Sequence, residues 1–280
     1  MRALLALAAG ALVGRAAWLA LRPVFAAPWL LRTNYRGEPV ATAAGVVLPV
    51  TVVLVEAARA VLAVAGVGES LSAERAQLMV LLTALGFGLL GLVDDLLGGN
   101  EARGFGGHLR ALARGRLTTG ALKLAGGGAV AVLVVAPIEG DRFARLVVDA
   151  ALVAMCANLG NLFDRAPGRT TKVGSLAFLA LVLVSGDHVA LVSVAVVVGA
   201  ALALLVDELR ECLMLGDVGA NVIGAALGLA VVMVATPTTR ALVLAAVLAL
   251  NLVSEVVSFS AVIARVPALR AIDQLGRRAR

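Results

Sequence analysis

Apolar residues dominate the chain in runs of about 17 to 25 residues, which short polar segments separate. A run of this length crosses the ~30 Å hydrocarbon core of a bilayer as one helix. Ala, Leu and Val fill the runs without the alternation typical of barrel strands, so helices are the expected element. We predict about nine transmembrane helices, of which the sixth is the shortest. They cover residues 3–21, 41–66, 77–93, 117–137, 143–163, 173–186, 189–206, 218–236 and 240–258.

The composition agrees with this pattern. Hydrophobic residues make up 61% of the 280 residues and charged residues 15%, with a mean hydropathy of +1.00. Soluble domains carry roughly 25% charged residues. We therefore predict an all-α polytopic membrane bundle, a single membrane domain over 1–258, and a basic tail over 259–280. No nucleic acid partner is expected for such a chain.

Basic residues set the expected orientation, because they accumulate in cytoplasmic loops. The loops after spans one, three, five, seven and nine hold most of them, whereas the other side holds few. The N-terminus is therefore predicted outside and the tail inside, where it can lie against anionic lipid headgroups. The inner set is Arg22, Arg32, Arg36, Arg103, Arg110, Arg114, Arg116, Arg165, Arg169, Lys172, Arg210, Arg265, Arg270, Arg277, Arg278 and Arg280.

The first span also has features of a secretory signal peptide, with "FAAP" at 25–28 as a cleavage site. Cleavage there would export Arg32 and Arg36, which contradicts the loop charges, so we predict a retained helix. Cys156 and Cys212 are too few and too badly placed for a disulfide framework, and they receive no role.

Carboxylates gather at the predicted inner ends of the helices. Asp94 and Asp95 end the third span, Asp164 ends the fifth, and Asp217 begins the eighth. Acidic caps are common at helix ends, which is the structural alternative for any one of them. The adjacent pair is different, because the helix dipole opposes aspartate at a C-terminus and such conflicts mark function. Four carboxylates in one inner cleft would be neutralised by a divalent cation.

Two further features indicate phosphate. Lys123 lies about one turn into the fourth span, where it either holds a phosphoryl oxygen or snorkels to the interface. The segment "GDVGAN" at 216–221 opens the eighth span, so its free N–H groups suit an anion while Asp217 suits Mg²⁺. Phosphoryl transfer is typical of a site that combines carboxylates, a metal and donors to phosphate.

Two charge pairs are expected inside the membrane as structural features. Glu56 and Arg59 are three residues apart in the second span, and Asp149 follows Arg145 at helical spacing. We predict an ion pair in each case.

Three motifs together resemble the polyprenyl-phosphate N-acetylhexosamine-1-phosphate transferases, which include the phospho-muramoyl-pentapeptide translocase. The segment "GLVDDLLG" resembles the DD motif of that family, "NLGNLFDRAPG" its Asn-rich loop, and "LMLGDVGAN" its GD-[TV]-G motif. They occur in the family's order, each at the inner end of a span. The segment "RTNYRGEPVATAAG" is similar to the family's early inner loop, so the resemblance spans about residues 30 to 225.

The resemblance implies a role for each matching residue. Asp94 and Asp95 would lie near the two phosphates, one of them preparing the lipid phosphate for attack. Asp217 and Asn161 would bind Mg²⁺, for which Mn²⁺ can substitute. The remaining matches would complete the catalytic and substrate-binding set: Asp164 would support the nucleotide or the metal shell, Asn158 would bind substrate, and Lys123 would hold a phosphate.

The implied reaction is attack of a polyprenyl phosphate, such as undecaprenyl phosphate, on the β-phosphorus of a UDP-HexNAc, with GlcNAc as the expected sugar. It releases UMP and leaves a lipid-diphosphate sugar for peptidoglycan or another surface polysaccharide. The resemblance implies a bacterial cytoplasmic membrane with the site facing the cytoplasm. Whether the protein forms a homodimer is left open.

The sequence departs from the family in its histidines. Members often carry a His-rich late inner loop, but this chain has only His108 and His188, and Pro167 replaces an acidic or amide residue. The loop containing His108, Arg110 and Arg114 can supply charge for a diphosphate or lipid headgroups, or it is an ordinary basic inner loop. The departures keep a non-catalytic scaffold as one alternative. A proton- or cation-coupled transporter is another, although its carboxylates would lie near the bilayer midplane.

Overall fold

The computed structural model describes residues 1–34, 36–67, 71–98 and 119–278, with the side chains of 71–74 excepted. Helical structure accounts for 80% of the described residues, nearly all of it in eleven α-helices. They are α1 Arg2–Leu21, α2 Val47–Val64, α3 Leu71–Leu97, α4 Thr119–Glu139, α5 Phe143–Phe163, α6 Arg169–Ser185, α7 Leu191–Leu209, α8 Gly216–Val234, α9 Pro237–Ser254, α10 Phe259–Arg265 and α11 Pro267–Gln274.

A short hairpin is the β-structure of the described residues. Strands β1 (Leu31–Thr33) and β2 (Pro39–Ala41) pair antiparallel, with Arg32 opposite Val40. The hairpin lies between α1 and α2, and Ala41 also forms a bridge to Leu213, just before α8. The segment between α1 and α2 is thereby tied to the start of α8.

Eight helices in the described part of the chain are long and apolar enough to cross a membrane: α1–α5 and α7–α9. The prediction of a polytopic helical bundle is confirmed to this extent. The sixth predicted span, 173–186, falls in α6, which has 17 residues and is therefore about 26 Å long. Left-handed glycines flank it, with φ of 69° at Gly168 and 71° at Gly186, and they limit its length.

Helix α6 nevertheless extends from one end of the bundle to the other. At its start, Thr170 Oγ1 donates to the Gly160 carbonyl near the end of α5 (3.2 Å). Just after its end, the Asp187 carboxylate accepts hydrogen bonds from the N-terminal amine of Met1 (2.6 Å) and from the backbone of Arg2 (2.9 Å). The nine long helices of the described chain, α1–α9, therefore alternate in direction. The ends of the odd-numbered helices meet at one end of the bundle. We call it the acidic end, because four carboxylates lie there: Asp94, Asp95, Asp164 and Asp217.

Helix α8 is the central element. Fourteen of its 19 residues are buried, and it contacts α2, α3, α5, α6 and α7. Glycine and alanine permit this close approach, as is usual for membrane helices. Helix α1 packs along α7, and Trp18 is buried against Phe25 with a ring separation of 5.5 Å. Helix α1 is thus an integral part of the core.

The two predicted internal ion pairs have different outcomes. Arg59 donates to Glu56 at 2.8 Å, which confirms that pair. The pairing of Asp149 with Arg145 is wrong, because Asp149 instead accepts from Arg240 of α9 at 2.7 Å. Arg240 also binds Glu139 at 2.7 Å. A buried arginine between two buried carboxylates satisfies more charge than a pair within one helix turn does.

The packing of α3 on α8 generates a test at Gly91. A Cβ at this position would lie 2.5 Å from the backbone oxygen of Asp217, whereas a Cβ at Gly128 of α4 would meet nothing within 4 Å. We expect Gly91→Ala to cost about 1–3 kcal/mol, seen as a lower midpoint of thermal unfolding by circular dichroism in detergent. Gly128→Ala is the matched control and should not lower the midpoint. Equal midpoints for the two variants would contradict this packing.

Candidate functional site

Four helix ends bring the predicted catalytic residues together at the acidic end. Asp94 and Asp95 lie in the last turn of α3, Lys123 in the first turns of α4, Asn161 in the last turn of α5, and Asp217 at the start of α8. These residues are far apart in sequence. Their meeting depends on the alternating directions of the helices.

Lys123 is the centre of this cluster. Its Nζ contacts the Asp217 carboxylate and lies 3.5 Å from Asp94 Oδ2. Asn161 Nδ2 donates to the same Asp217 oxygen at 3.1 Å. The side chains of Lys123, Asp94 and Asp217 are 17%, 24% and 22% exposed, so the cluster is largely withdrawn from solvent yet reachable from the bundle end. Lys123 thus contacts two carboxylates, Asp94 and Asp217. Because one positive charge faces two negative charges, the cluster retains negative charge.

Asp95 has a different set of partners from its neighbour. Its Oδ1 accepts from the Asp217 N–H at 3.0 Å and its Oδ2 from the Val218 N–H at 3.1 Å. These amides belong to the first turn of α8, where helices lack internal partners and carry positive partial charge. Asp95 is placed against the dipole of its own helix, α3, because it caps another helix.

Asp164 completes the capping of α8. The backbone N–H of Gly216 lies against its carboxylate. Burial raises the pKa of Asp164 well above its usual value, and the nearby carboxylates of Glu208, Asp217 and Asp95 raise it further, while the Gly216 N–H opposes the shift. Burial dominates because a buried carboxylate loses hydration that one amide does not replace.

The N-terminus of α8 is therefore not an open anion site. The sequence predicted that its free N–H groups would suit a phosphate, but Asp95 and Asp164 already occupy the amides of Gly216, Asp217 and Val218. The glycines of the motif instead provide space. Gly216 has φ +72°, and a Cβ there would lie 2.5 Å from an Asp95 oxygen.

Asn158 lies near the cluster but faces another helix. Its Nδ2 donates to Asn251 Oδ1 of α9 at 2.6 Å, and Asn251 in turn donates to the Val247 carbonyl at 2.8 Å. The structure thus brings Asn161, but not Asn158, onto Asp217. His108, Arg110 and Arg114, which were predicted to bind substrate, lie outside the described residues.

The segment between α1 and α2 supports the start of α8. Arg36 Nε donates to both carboxylate oxygens of Glu211 at 3.1 Å, and Asn34 Nδ2 donates to Glu211 at 3.0 Å. Backbone bonds from Ala44 to Met214 (3.1 Å) continue this contact. Glu211 is 7% exposed and has φ +60°, a strained conformation that these bonds hold.

Sequence reasoning gave no role to Asn221, which lies one turn beyond Asp217. It is 1% exposed, and within the described part of the chain neither its Oδ1 nor its Nδ2 has a hydrogen-bond partner. A buried amide without partners is costly. Its position in "GDVGAN" was visible in the sequence, but its burial was not.

The donors of the cluster suit a hard divalent cation only in combination with a substrate. No group of three or more His, Cys, Asp or Glu residues among those described has metal-ligating geometry. Asp94, Asp217 and the amide oxygen of Asn161 can supply three oxygens. Mg²⁺ is commonly held by one or two carboxylates together with substrate phosphates. These residues therefore fit Mg²⁺ with a bound diphosphate.

Asp164 generates a prediction for the pH dependence of stability. Its raised pKa in the folded chain means that ionisation costs stability as pH rises from the ordinary value, 3.8. Asp164→Asn removes this cost, so the variant should unfold at a higher temperature than wild type at neutral pH. The difference should shrink as the pH falls to about 4.

The measurement is thermal unfolding in detergent with a chelator present, with Asp141→Asn as the control. Asp141 is exposed. A wild-type protein that is more stable than Asp164→Asn at neutral pH, by a margin that grows with pH, would show that the Asp164 charge is stabilising and contradict this interpretation.

Comparison with known proteins adds no relative from which a role can be transferred. No protein-family model matches the chain. No curated protein sequence matches it either. Function is therefore inferred from the motifs and from the geometry at the acidic end.

Proposed function

We propose that the protein transfers a HexNAc-1-phosphate, with GlcNAc as the first sugar to test, from a UDP-sugar to undecaprenyl or another polyprenyl phosphate. The observation that carries the proposal is the meeting of Asp94, Lys123, Asn161 and Asp217 at one bundle end. These residues come from the three motifs that resemble the polyprenyl-phosphate transferases, and from the lysine that follows the first motif. The family membership is part of the proposal.

The site's place at the end of membrane helices suits a substrate with a lipid tail and a polar head. The tail can remain among the apolar helices while the phosphate reaches Lys123 at the end of the bundle. We place this end at the cytoplasmic face of a bacterial plasma membrane, because the basic loops lie there and UDP-sugars are cytoplasmic. A transporter is less well supported, since these carboxylates lie at helix ends.

In the proposed reaction, an oxygen of the lipid phosphate forms a bond to the β-phosphorus of the UDP-sugar. The bond from that phosphorus to the oxygen bridging it to the α-phosphorus breaks, and UMP leaves with that oxygen. The nucleophile is already an anion, so the main requirement is to bring two anionic groups together and stabilise charge on the leaving group.

The chain's own groups meet that requirement in distinct ways. Lys123 is a mobile cation that can exchange a carboxylate partner for a phosphate oxygen. Asp217 and Asn161, with Asp94, would hold Mg²⁺, which supplies charge neutralisation to the diphosphate. Asp95 and Asp164 act as positioning residues in this account, because they fix the start of α8 and with it the Asp217 side chain.

The proposal is tested by release of UMP from a panel of UDP-HexNAc donors, using purified protein, undecaprenyl phosphate and Mg²⁺. We expect release that requires both lipid and metal. Asp94→Asn and Asp217→Asn should each lower the rate by about 100-fold or more, because each removes a carboxylate that would hold the Mg²⁺ neutralising the reacting phosphates.

The matched control is Asp141→Asn, the same substitution in the exposed turn between α4 and α5. It should retain the wild-type rate. Folding of each variant is verified by size-exclusion chromatography and thermal unfolding. Folded wild-type protein that releases no UMP with any donor would contradict the proposal and favour a non-catalytic scaffold.

A further inference from the structure

The tail beyond α9 is folded onto the acidic end of the bundle. Asp273 of α11 accepts two bonds from the guanidinium of Arg169, at 2.7 and 3.2 Å, and one from Arg277 at 2.5 Å. Arg169 is 5% exposed and also binds Ser260 of α10 at 2.8 Å. Paired, bidentate contacts of this kind fix both position and orientation.

Further contacts secure the end of α11 and the start of α10. Lys172 Nζ donates to the carbonyls of Ile272, Asp273 and Leu275 at 2.6–3.2 Å, which satisfies the C-terminal turn of the helix. Phe259, which begins α10, stacks on Phe163 at the end of α5 with a ring separation of 5.2 Å. The tail is therefore a docked element of the bundle.

The electrostatics of Asp273 agree with this docking. Burial alone would raise its pKa, but the hydrogen bond and charge of Arg169, with the charges of Arg277 and Lys172, hold the pKa below its ordinary value. Asp273 is thus a charged anchor at neutral pH.

The opposite face of α11 is apolar and has no protein cover in the described chain. Leu269, Ile272 and Leu275 lie on one side of the helix, and they are 44%, 48% and 71% exposed. Val262 of α10 and Val266, which links the two helices, are also exposed, at 38% and 40%. A helix on the surface of a soluble protein shows the reverse arrangement, with its apolar side towards the core.

The position of this apolar surface indicates that the membrane interface covers it. The Arg278 N–H donates to the Leu209 carbonyl at the end of α7 (3.2 Å), so the tail lies level with the ends of the spans. Those ends mark the boundary between hydrocarbon and water. An apolar helix face at this level matches an amphipathic helix that lies in the plane of the interface.

The charge of the tail indicates which kind of lipid headgroup it contacts. Residues 259–280 contain five arginines and a single acidic residue, Asp273. Asp273 is already paired with Arg169, whereas Arg265 and Arg270 are exposed. Exposed arginines beside a membrane-level apolar face attract anionic headgroups.

We propose that α10 and α11 form an interfacial anchor that inserts its apolar face into the anionic surface of the same bilayer. Arg277 Nε also donates to the Pro167 carbonyl at 3.0 Å. The residues that follow the anchor therefore contact the 164–168 segment beside the candidate site. This inference does not depend on the proposed transferase activity.

The test measures the depth of two positions on opposite sides of α11 in the full-length protein. Cysteines are introduced as Ile272→Cys or Gln274→Cys in a background carrying Cys156→Ala and Cys212→Ser, and each is labelled with a nitroxide. Gln274 is the matched control, because it is exposed on the polar side of the same helix turn. Nanodiscs contain phosphatidylcholine with or without phosphatidylglycerol.

In discs with phosphatidylglycerol, we expect the Ile272 label to collide mainly with oxygen, which concentrates in lipid. The Gln274 label should collide mainly with a water-soluble nickel chelate, so the oxygen-to-nickel ratio should differ several-fold between the positions. Omitting phosphatidylglycerol should reduce the ratio at Ile272. Equal ratios at the two positions would overturn the anchor, and close dipolar contact between Ile272 labels would show that a second copy covers this face.

Discussion

The N-terminus of α8 is the constraint on which the acidic end depends. Helix α8 lies at the centre of the bundle, and the amides of its first turn must be satisfied where little water reaches them. Asp95 satisfies two of them, and this contact fixes the end of α3 against the start of α8. Asp94 and Asp217 then lie on either side of Lys123. A capping interaction thus aligns the residues that we assign to chemistry.

The charge balance of the cluster follows from that alignment. Asp94 and Asp217 share Lys123, while Asp164 lies close enough to add repulsion. Such an arrangement is costly in a partly buried setting unless a cation or cationic complex is added. The excess of carboxylates over lysine makes the cluster a poor stabiliser of the fold. The same excess of negative charge makes the cluster suitable for binding a metal ion together with a diphosphate. The opposite end of the bundle differs, because Arg240 there binds both Glu139 and Asp149.

The sequence was informative wherever a property was local. Apolar run length predicted the spans, and the adjacent Asp94 and Asp95 were recognised as a conflict with the helix dipole. It did not show that Asp95 resolves the conflict by capping α8, since that requires knowing which helices are neighbours. For the same reason Asp149 was assigned to Arg145 in its own helix rather than to Arg240. The amphipathic pattern of α11 is present in the sequence, but only the Arg169–Asp273 contact shows that the Asp273 side of the helix faces the bundle.

We infer that a metal-dependent phosphate site is formed by four residues at the acidic end: Asp94, Lys123, Asn161 and Asp217. Equilibrium binding of Mn²⁺ is the first measurement to make. Electron paramagnetic resonance of the unbound ion would follow a titration of the protein in nanodiscs with UDP present. The account predicts saturable binding of a single ion per chain by the wild type and by Asp141→Asn, and loss of that binding in Asp217→Asn. Equal binding by the wild type and Asp217→Asn would contradict it.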